Sequence, residues 1–306
     1  MLKNKLVILG LIIVLAVGLM GCQGNAPKES KEKADALKIG FAVSTQNNPF
    51  FVDLKEGAEK KAKEIGAKLL VVDAQDDAAK QLSSIEDLIV KQVDVLVINP
   101  VDGDAIVSAI QSANDANIPV ITVDRGANGG KVASHIASDN VAGGKMAAEF
   151  IAKKLNKKGK LVELQGIPGT SAARDRGKGF HKGIDQYEGL EVVASQPADF
   201  NRAKGMTVME NILQAEKDID AVFAHNDSMA LGAIQAIEAA GRLDEITVVG
   251  FDAIDDARKA VKAGKLAATI AQKPGLMGEM AVETAKKVAN GKTVDEFTPV
   301  PLKLIK

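Results

Sequence analysis

Polar side chains follow the short apolar runs of this chain, at the points where the strands of a parallel sheet would end. Asp124 and Arg125 come directly after the run at 119–123, and Asp252 lies just beyond the run at 246–250. The stretches that follow the other runs are 44–51, 171–177, which contains both Arg174 and Arg176, and 225–227, and Phe251 and Gln272 also stand at such points. Open α/β sheets bind ligands at the carboxyl ends of their strands, so these side chains are candidates for one binding site.

The chemistry of this set suits a small polyol. Carboxylates accept hydrogen bonds, guanidinium groups donate them and amides do both, which are the partners that sugar hydroxyls need. Phenylalanine rings can cover the apolar C–H faces of a sugar. Asp124 and Asp252 offset the charges of Arg125 and Arg176, which favours a neutral ligand over a phosphate or a carboxylate. Helix N-caps also favour Asp, Asn and Ser at such positions, so a structural role stays open for them.

The elements that must position these side chains alternate along the chain. Short runs rich in Val, Ile and Leu predict strands buried on both faces, at 38–43, 69–72, 95–98, 119–123, 161–164, 221–224, 246–249 and 267–271. Apolar residues at helical spacing predict helices within 51–65, 78–91, 104–116, 140–154, 202–214, 228–240 and 275–289. The alternation predicts an α/β fold of parallel sheets with helices on both faces. One open sheet would satisfy the pattern, but two doubly wound domains fit the length better.

Composition excludes several function classes. The 39 basic and 40 acidic residues balance, which does not favour a nucleic-acid-binding protein. A single cysteine cannot form an internal disulfide, and the three histidines have no metal-ligand spacing, so we expect no metal and no cofactor. The stretch after the first strand, STQNNPFF, is not the glycine-rich turn of a nucleotide-dependent dehydrogenase.

The first residues resemble a bacterial lipoprotein signal. Lys3 and Lys5 precede the apolar run at 6–19, and Cys22 follows shortly after it. We expect 1–21 to be a signal peptide, Cys22 to carry a diacylglycerol anchor on the outer face of the cytoplasmic membrane, and 22–36 to be a flexible tether. The alternative is an uncleaved signal anchor with an idle thiol; Met20 departs from the small residue that is usual before the final glycine and cysteine.

Longer motifs, spread over residues 38 to 304, resemble a known family. They include SxxNNPFF (44–51), INPxDxDA (98–105), IPVITxDR (118–125), ELQGxxGTSAARxRGxGF (163–180), ASQPADF (194–200), VVGFD (248–252) and GKLAATIAQ (264–272). Together they are similar to the ribose-binding group of the periplasmic binding proteins that serve bacterial sugar ABC importers. The resemblance implies type I architecture: two Rossmann-like lobes, 37–138 with 272–298 and 139–271 with 299–306, which close over the ligand by hinge motion.

The same resemblance implies the function and the site. Pentose contacts are expected at Ser44, Asn48, Phe50, Phe51, Asp124, Arg125, Arg176, Phe200, Asn226, Phe251, Asp252 and Gln272. The expected protein is a monomeric, non-catalytic receptor that captures D-ribose and delivers it to a membrane permease with a cytoplasmic ATPase. Coupling to a chemoreceptor stays open.

Alternatives remain for single residues and for the whole chain. Three of the predicted ligand contacts have a structural alternative. Phe51 begins the apolar stripe of a helix and can be a core residue, Ser44 can form hydrogen bonds to neighbouring backbone alone, and Asn48 can be an N-cap. Arg174 lies two residues from Arg176, so the two should not share a helix face. A sugar-responsive repressor would need an N-terminal helix-turn-helix, and a glycosidase would use two opposed carboxylates. A receptor for another neutral sugar, such as allose, xylose or a furanose signal, also stays open.

Overall fold

The computed structural model describes residues 36–306. The predicted signal peptide, Cys22 and the tether up to residue 35 lie outside the described residues. No helix between residues 36 and 306 combines the length and the apolar character that crossing a membrane would need.

Strands and helices alternate through the described chain. The strands are β1 (Lys38–Val43), β2 (Lys68–Asp73), β3 (Val95–Ile98), β4 (Val120–Val123), β5 (Ser134–Ser138), β6 (Gly159–Gln165), β7 (Leu190–Pro197), β8 (Ala221–Ala224), β9 (Thr247–Asp252), β10 (Ala268–Ala271), β11 (Phe297–Val300) and β12 (Lys303–Ile305). The helices are α1 (Pro49–Ile65), α2 (Ala78–Val90), α3 (Val107–Asp115), α4 (Asn140–Lys154), α5 (Ser171–Ile184), α6 (Arg202–Ala215), α7 (Asp227–Ala239), α8 (Asp255–Lys262) and α9 (Pro274–Ala289).

The strands form two six-stranded sheets, which confirms the predicted pair of doubly wound units over a single open sheet. The first has the order β11-β5-β4-β3-β1-β2 and is parallel throughout. The second has the order β12-β10-β9-β8-β6-β7, with only β12 antiparallel to its neighbour. The chain passes between the sheets after β5, after β10 and after β11.

The residue bounds of the two lobes stay a prediction, with one adjustment. The pairing of β11 with β5 continues to Val300, so the last passage between the sheets lies beyond the predicted crossing at Thr298. Pro299 and Val300 therefore remain with the first sheet.

Each sheet buries both faces because successive side chains along a strand point in opposite directions. In β3, Val95 and Val97 pack in one core, formed with α1 and α9. Leu96 and Ile98 pack in the opposite core, formed with α2 and α3. The second sheet repeats this arrangement, with α6, α7 and α8 on one face and α4 and α5 on the other.

The elements that pattern reading does not find have identifiable causes. Strand β5 reads SHIAS and is too polar to register as a buried run, while β7, β11 and β12 are edge strands with exposed positions. Helix α5 contains three glycines, and α8 buries only Ala257. Helix α3 begins at Val107 instead of 104, because the Asp102 carboxylate accepts hydrogen bonds from the backbone N–H groups of Asp104 and Ala105 and holds a turn there.

Helices α4 and α5 pack backbone against backbone. A Cβ atom at Gly144 of α4 would lie 2.1 Å from the carbonyl oxygen of Arg176, and one at Gly179 of α5 would lie 2.0 Å from that of Val141. Only glycine permits this approach. It brings Asn140, the first residue of α4, beside the side chain of Arg176 on α5.

Candidate ligand-binding site

A small cavity lies at the carboxyl ends of both sheets, and most of the residues that line it are buried. It is lined by Asn48, Phe50, Phe51, Asp124, Arg125, Ala172, Arg176, Phe200, Asn226, Asp252 and Gln272. Every residue predicted for the site except Ser44 and Phe251 therefore contributes to its wall. A small pocket of this kind, with convergent polar groups and aromatic rings, is typical of a site for a small molecule.

Arg176 is held from three sides. Its Nε donates to Asn140 Oδ1 at 2.9 Å and one terminal nitrogen donates to the carbonyl oxygen of His225 at 2.6 Å. Its guanidinium carbon lies 3.8 Å from the centroid of the Phe251 ring, so Phe251 supports the guanidinium from behind instead of lining the cavity. The nearest contact with Asp252 is 3.5 Å, too long for a strong hydrogen bond.

Arg125 is held mainly by aromatic rings. Its guanidinium carbon lies 5.0 Å from the centroid of Phe51 and 5.4 Å from that of Phe200. One terminal nitrogen donates to the carbonyl oxygen of Pro100 at 3.3 Å. The core role and the ligand-facing role of Phe51 are therefore compatible, because Phe51 packs in the core of the first sheet and also lines the cavity.

Two asparagines of the wall are also N-caps. Asn48 Oδ1 accepts from the backbone N–H of Phe50 at 3.0 Å, and Asn226 Oδ1 accepts from that of Met229 at 2.9 Å. Capping uses only the amide oxygen. Asn226 Nδ2 also donates to the carbonyl oxygen of Phe200 at 3.3 Å, and because an amide nitrogen has two hydrogens, each asparagine keeps a donor for a ligand. The capping and the binding interpretations are therefore compatible at both positions.

Ser44 lies beneath the wall and not in it. It is fully buried, and its backbone N–H donates to Asn99 Oδ1 at 3.2 Å. The Nδ2 atom of Asn99 lies 3.5 Å from Asp124 Oδ2 and donates to the carbonyl oxygen of Val123. Ser44 is thus connected to the cavity through Asn99.

Three residues of the wall have backbone conformations that L-amino acids rarely adopt. The φ angles are 61° at Asp124, 55° at Phe200 and 111° at Asp252. Asparagine and aspartate tolerate positive φ, whereas for a bulky residue such as Phe200 it is an outlier. Such strain persists only where surrounding structure enforces it, and it concentrates at binding sites.

Burial dominates the electrostatics of the carboxylates. It raises the pKa of Asp124, against the opposing effect of Arg176 and Arg125. It raises the pKa of Asp252 to about 7, although Arg176 and a hydrogen bond from Gln272 oppose the shift. Asp227 lies beneath Asp252, and both its burial and the neighbouring Asp252 charge raise its pKa well above the usual value. These carboxylates are therefore poorly compensated by the protein itself.

The wall also contains polar atoms without a protein partner. Within residues 36–306, Asp124 Oδ1, Arg125 Nε and Gln272 Oε1 are buried and make no hydrogen bond to the protein. Buried polar groups are normally paired, so each such atom calls for a partner from a ligand. Two acceptors and one donor among the residues that line the cavity match the hydroxyl groups of a sugar.

The histidines have protein partners elsewhere. His135 Nδ1 lies 2.9 Å from Thr122 Oγ1, and His181 and His225 both contact Glu163. In the part of the chain that the structure describes, no cluster of three or more potential ligand residues is arranged to hold a metal ion.

Three residues of the site were not predicted. Asn99 directly follows β3, so the rule that located the other wall residues finds it when applied to that strand. Asn140 follows β5, whose polar sequence hides the strand. Ala172 lines the cavity only because α5 begins there, and its small side chain carries no sequence signal.

Comparisons with known proteins agree with this geometry. The profile of the periplasmic binding protein domain matches residues 39–293. The chain is 52% identical to the ribose import binding protein of Bacillus subtilis over 296 residues, which cover 97% of this chain and 95% of that protein. It is 55% identical over 267 residues to the ribose import binding protein of Escherichia coli, which cover 87% and 90%. The crystal structure of an ABC transporter periplasmic solute binding protein from Actinobacillus succinogenes with bound D-allose matches with a TM-score of 0.83 and 32% identity, over 88% and 96% of the two chains.

We predict that Asp252→Asn stabilises the closed, ligand-free form of the protein at pH 8, because Asp252 is buried in that form. An unfolded aspartate titrates at about 4. Because burial raises the folded pKa to about 7, the folded state retains a proton that the unfolded state releases, and stability falls as pH rises from about 4 to 7. The variant removes this penalty, which we expect to be about 1 kcal/mol or more, since one pKa unit corresponds to about 1.4 kcal/mol.

Urea unfolding of the ligand-free protein at pH 5 and pH 8 measures this effect. Asp218 is exposed and, within residues 36–306, pairs only with Lys160 at the surface. It gives the control variant Asp218→Asn, whose stability should follow the wild type at both pH values. If Asp252→Asn is destabilising by the same amount at both pH values, the Asp252–Arg176 contact is net stabilising and the prediction is wrong.

Proposed function

This chain belongs to the periplasmic binding protein family, and we propose that it is the extracytoplasmic receptor that binds D-ribose for an ABC importer. The observation that carries the proposal is the small closed cavity, in which two carboxylates, two guanidinium groups and three amides surround a space flanked by phenylalanine rings. The high identity to two ribose import binding proteins supports ribose as the ligand. We infer that the protein releases its ligand unchanged and is not an enzyme.

The binding residues that we propose divide into two roles. Those of the cavity wall touch the sugar directly: carboxylates accept from hydroxyls, guanidinium groups and amides donate to them, and the rings of Phe50, Phe51 and Phe200 cover C–H faces. Ser44 and Phe251 act from behind the wall, Ser44 through Asn99 and Phe251 through Arg176.

Ligand capture requires the two lobes to separate. Phe50, Asp124 and Asn226 are at most 3% exposed, so a sugar cannot reach them while the cavity is closed. We propose lobes of 37–138 with 272–300 and 139–271 with 301–306. A hinge motion between them opens the cavity, and closure over the sugar excludes water. Direct bonds between the lobes, such as the 2.8 Å hydrogen bond from the Gly126 N–H to Ser171 Oγ, then form as the lobes close.

The partners follow from this function. We propose that the closed receptor delivers its sugar to a membrane permease driven by a cytoplasmic ATPase, and that it acts as a monomer tethered to the outer face of the membrane through Cys22. A chemoreceptor that recognises the same closed form would be a second partner.

A receptor for another neutral monosaccharide is the competing proposal. It is favoured by the similarity to a solute binding protein with bound D-allose. Both sugars present hydroxyls and apolar faces, so their relative affinity decides between the two proposals.

We predict that ribose binds at least tenfold more tightly than 2-deoxyribose. A missing hydroxyl leaves one buried polar group of the wall unpaired, which costs about 1–3 kcal/mol for a neutral group and more for a charged one such as those of this wall. Isothermal titration with ribose, 2-deoxyribose, allose and glucose measures the difference. Ribose at a hundredfold excess over its dissociation constant should also stabilise the fold by about 2.7 kcal/mol. A larger rise in Tm with allose or glucose would refute the ribose assignment.

We predict that Arg176→Ala and Asp124→Ala each weaken ribose binding by more than about 2 kcal/mol, because each leaves charged groups buried without their partner. Arg174→Ala is the matched control. The Arg174 side chain is 54% exposed and only approaches Asp175, at 3.7 Å, so its removal should change the affinity little. Isothermal titration of the three variants is the measurement. If Arg174→Ala abolishes binding while Arg176→Ala does not, the assignment of the site in the second lobe is wrong.

We predict that the native protein begins at a diacylated Cys22. Mass spectrometry of the protein purified from its host membrane should show the mass of the chain from residue 22 onward with the added lipid. Cys22→Ser should release the receptor from the membrane fraction without changing its affinity for ribose. An N-terminal peptide that retains Met1, or an unmodified thiol at Cys22, would contradict the anchor.

A further inference from the structure

A buried carboxylate and two imidazole rings lie behind the cavity, outside its wall. Glu163 of β6 is fully buried. Its Oε1 lies 2.9 Å from His225 Nε2, and its Oε2 lies 3.1 Å from His181 Nε2 and also accepts from the hydroxyl of Ser195. The function of the sugar site, as described so far, makes no use of this cluster.

The hydrogen bonds determine the proton positions on His225. The backbone N–H of Gly166 donates to His225 Nδ1 at 3.3 Å, so Nδ1 is an acceptor and Nε2 carries the proton that is donated to Glu163. Burial lowers the pKa of His225. Burial alone would raise the pKa of Glu163, but hydrogen bonds from His225 and Ser195, together with the positive charge that His225 and His181 carry when protonated, outweigh it and lower this pKa to about 2. The pair is therefore a neutral imidazole donating to a carboxylate.

His225 connects this cluster to the cavity through its backbone. Its carbonyl oxygen accepts the 2.6 Å hydrogen bond from Arg176, and the next residue, Asn226, lines the cavity. The side chain of His225 is held by Glu163. Its backbone holds Arg176 through the carbonyl oxygen and continues directly into Asn226.

Helix α5 contacts the same pair directly. A Cβ atom at Gly177, the residue after Arg176, would lie 3.2 Å from Glu163 Oε1 and 3.3 Å from His225 Cε1. Helix α5, which carries Arg176, therefore packs against the Glu163–His225 pair. The pair thus contacts the helix backbone next to Arg176 and, through the carbonyl oxygen of His225, also holds the guanidinium group.

We propose that His225, held by Glu163, is a positioning residue of the sugar site, which sets the location of the Arg176 guanidinium group and of Asn226. The proposal rests on the proposed function and deepens it, because it names a determinant of affinity that does not touch the ligand. His181 provides a contrast within the same cluster. It donates to the same carboxylate, but its side chain is 44% exposed and it makes no hydrogen bond to a wall residue.

Isothermal titration of ribose to His225→Asn, His225→Gln and His181→Asn tests the proposal. The amide of Asn can replace Nδ1 as an acceptor but does not extend to Glu163, whereas Gln places an N–H donor near the position of Nε2. We expect His225→Asn to raise the dissociation constant at least tenfold, His225→Gln to stay within about threefold of wild type, and His181→Asn to leave the affinity unchanged. Urea unfolding of each variant separates loss of affinity from loss of stability.

A double-mutant cycle adds a readout that a merely structural role would not change. If His225 acts by placing Arg176, then Arg176→Ala should lose much less affinity in the His225→Asn background than in the wild type. If His225→Asn does not fold, His225→Phe, which fills the space without an N–H donor, takes its place with the same expected tenfold loss.

Each contrary result overturns a different statement. If His225→Asn, or His225→Phe in its place, binds ribose with wild-type affinity, the positioning role is refuted. The same holds if His181→Asn loses as much affinity as that variant. Neither result affects the proposal that the protein binds ribose. Additive losses in the cycle would refute the link to Arg176. A wild-type protein that does not bind ribose would refute the proposed function instead, whatever the variants do.

Discussion

The structure depends on the burial of two aspartates and two arginines in one small cavity. Asp124, Arg125, Arg176 and Asp252 are each at most 7% exposed. Charges removed from water are costly unless they are paired and fully hydrogen-bonded. The closest approach between Arg176 and Asp252 is 3.5 Å, so direct ion pairing does not balance this cost. Ring faces, backbone carbonyls and an asparagine hold the arginines, while the carboxylates retain raised pKa values.

Because the buried charges are not fully compensated by one another, many contacts of the fold are needed to hold the cavity wall in place. The close approach of Gly144 to Arg176 places α4 against α5, and Asn140 then accepts from the guanidinium group. The backbone at Asp124 and Phe200 has positive φ angles, a strain that persists only where surrounding structure enforces it. Stability is given up at these positions so that hydrogen-bonding groups are in place before a ligand arrives. Pre-organisation of this kind reduces the entropy that binding must overcome.

Much of the fold and the site could be predicted from the sequence, because both follow local rules. Buried parallel strands read as continuous apolar runs, and ligand-binding side chains follow their carboxyl ends. The same rules fail for β5, whose sequence SHIAS contains polar residues although the strand is mostly buried, and consequently for Asn140 just after it. They also fail for Glu163. This residue lies inside a strand, and its importance arises only when β8 and α5 bring His225 and Gly177 against it, which no local pattern records.

Closure and binding are a single event in a site of this kind. The apparent affinity is the intrinsic affinity of the closed form reduced by the fraction of protein that is closed without ligand. Contacts between the lobes away from the cavity, such as that of Gly126 with Ser171, change the apparent affinity only by changing that closed fraction. They shift the affinity for every sugar by the same factor. Groups of the cavity wall act differently, because Asp124 Oδ1 and Gln272 Oε1 can be paired by a sugar with a hydroxyl at the right position and not by a sugar that lacks it. Affinity can therefore be adjusted at the edges of the cleft, whereas discrimination between sugars must come from the wall and from the residues that hold it in place.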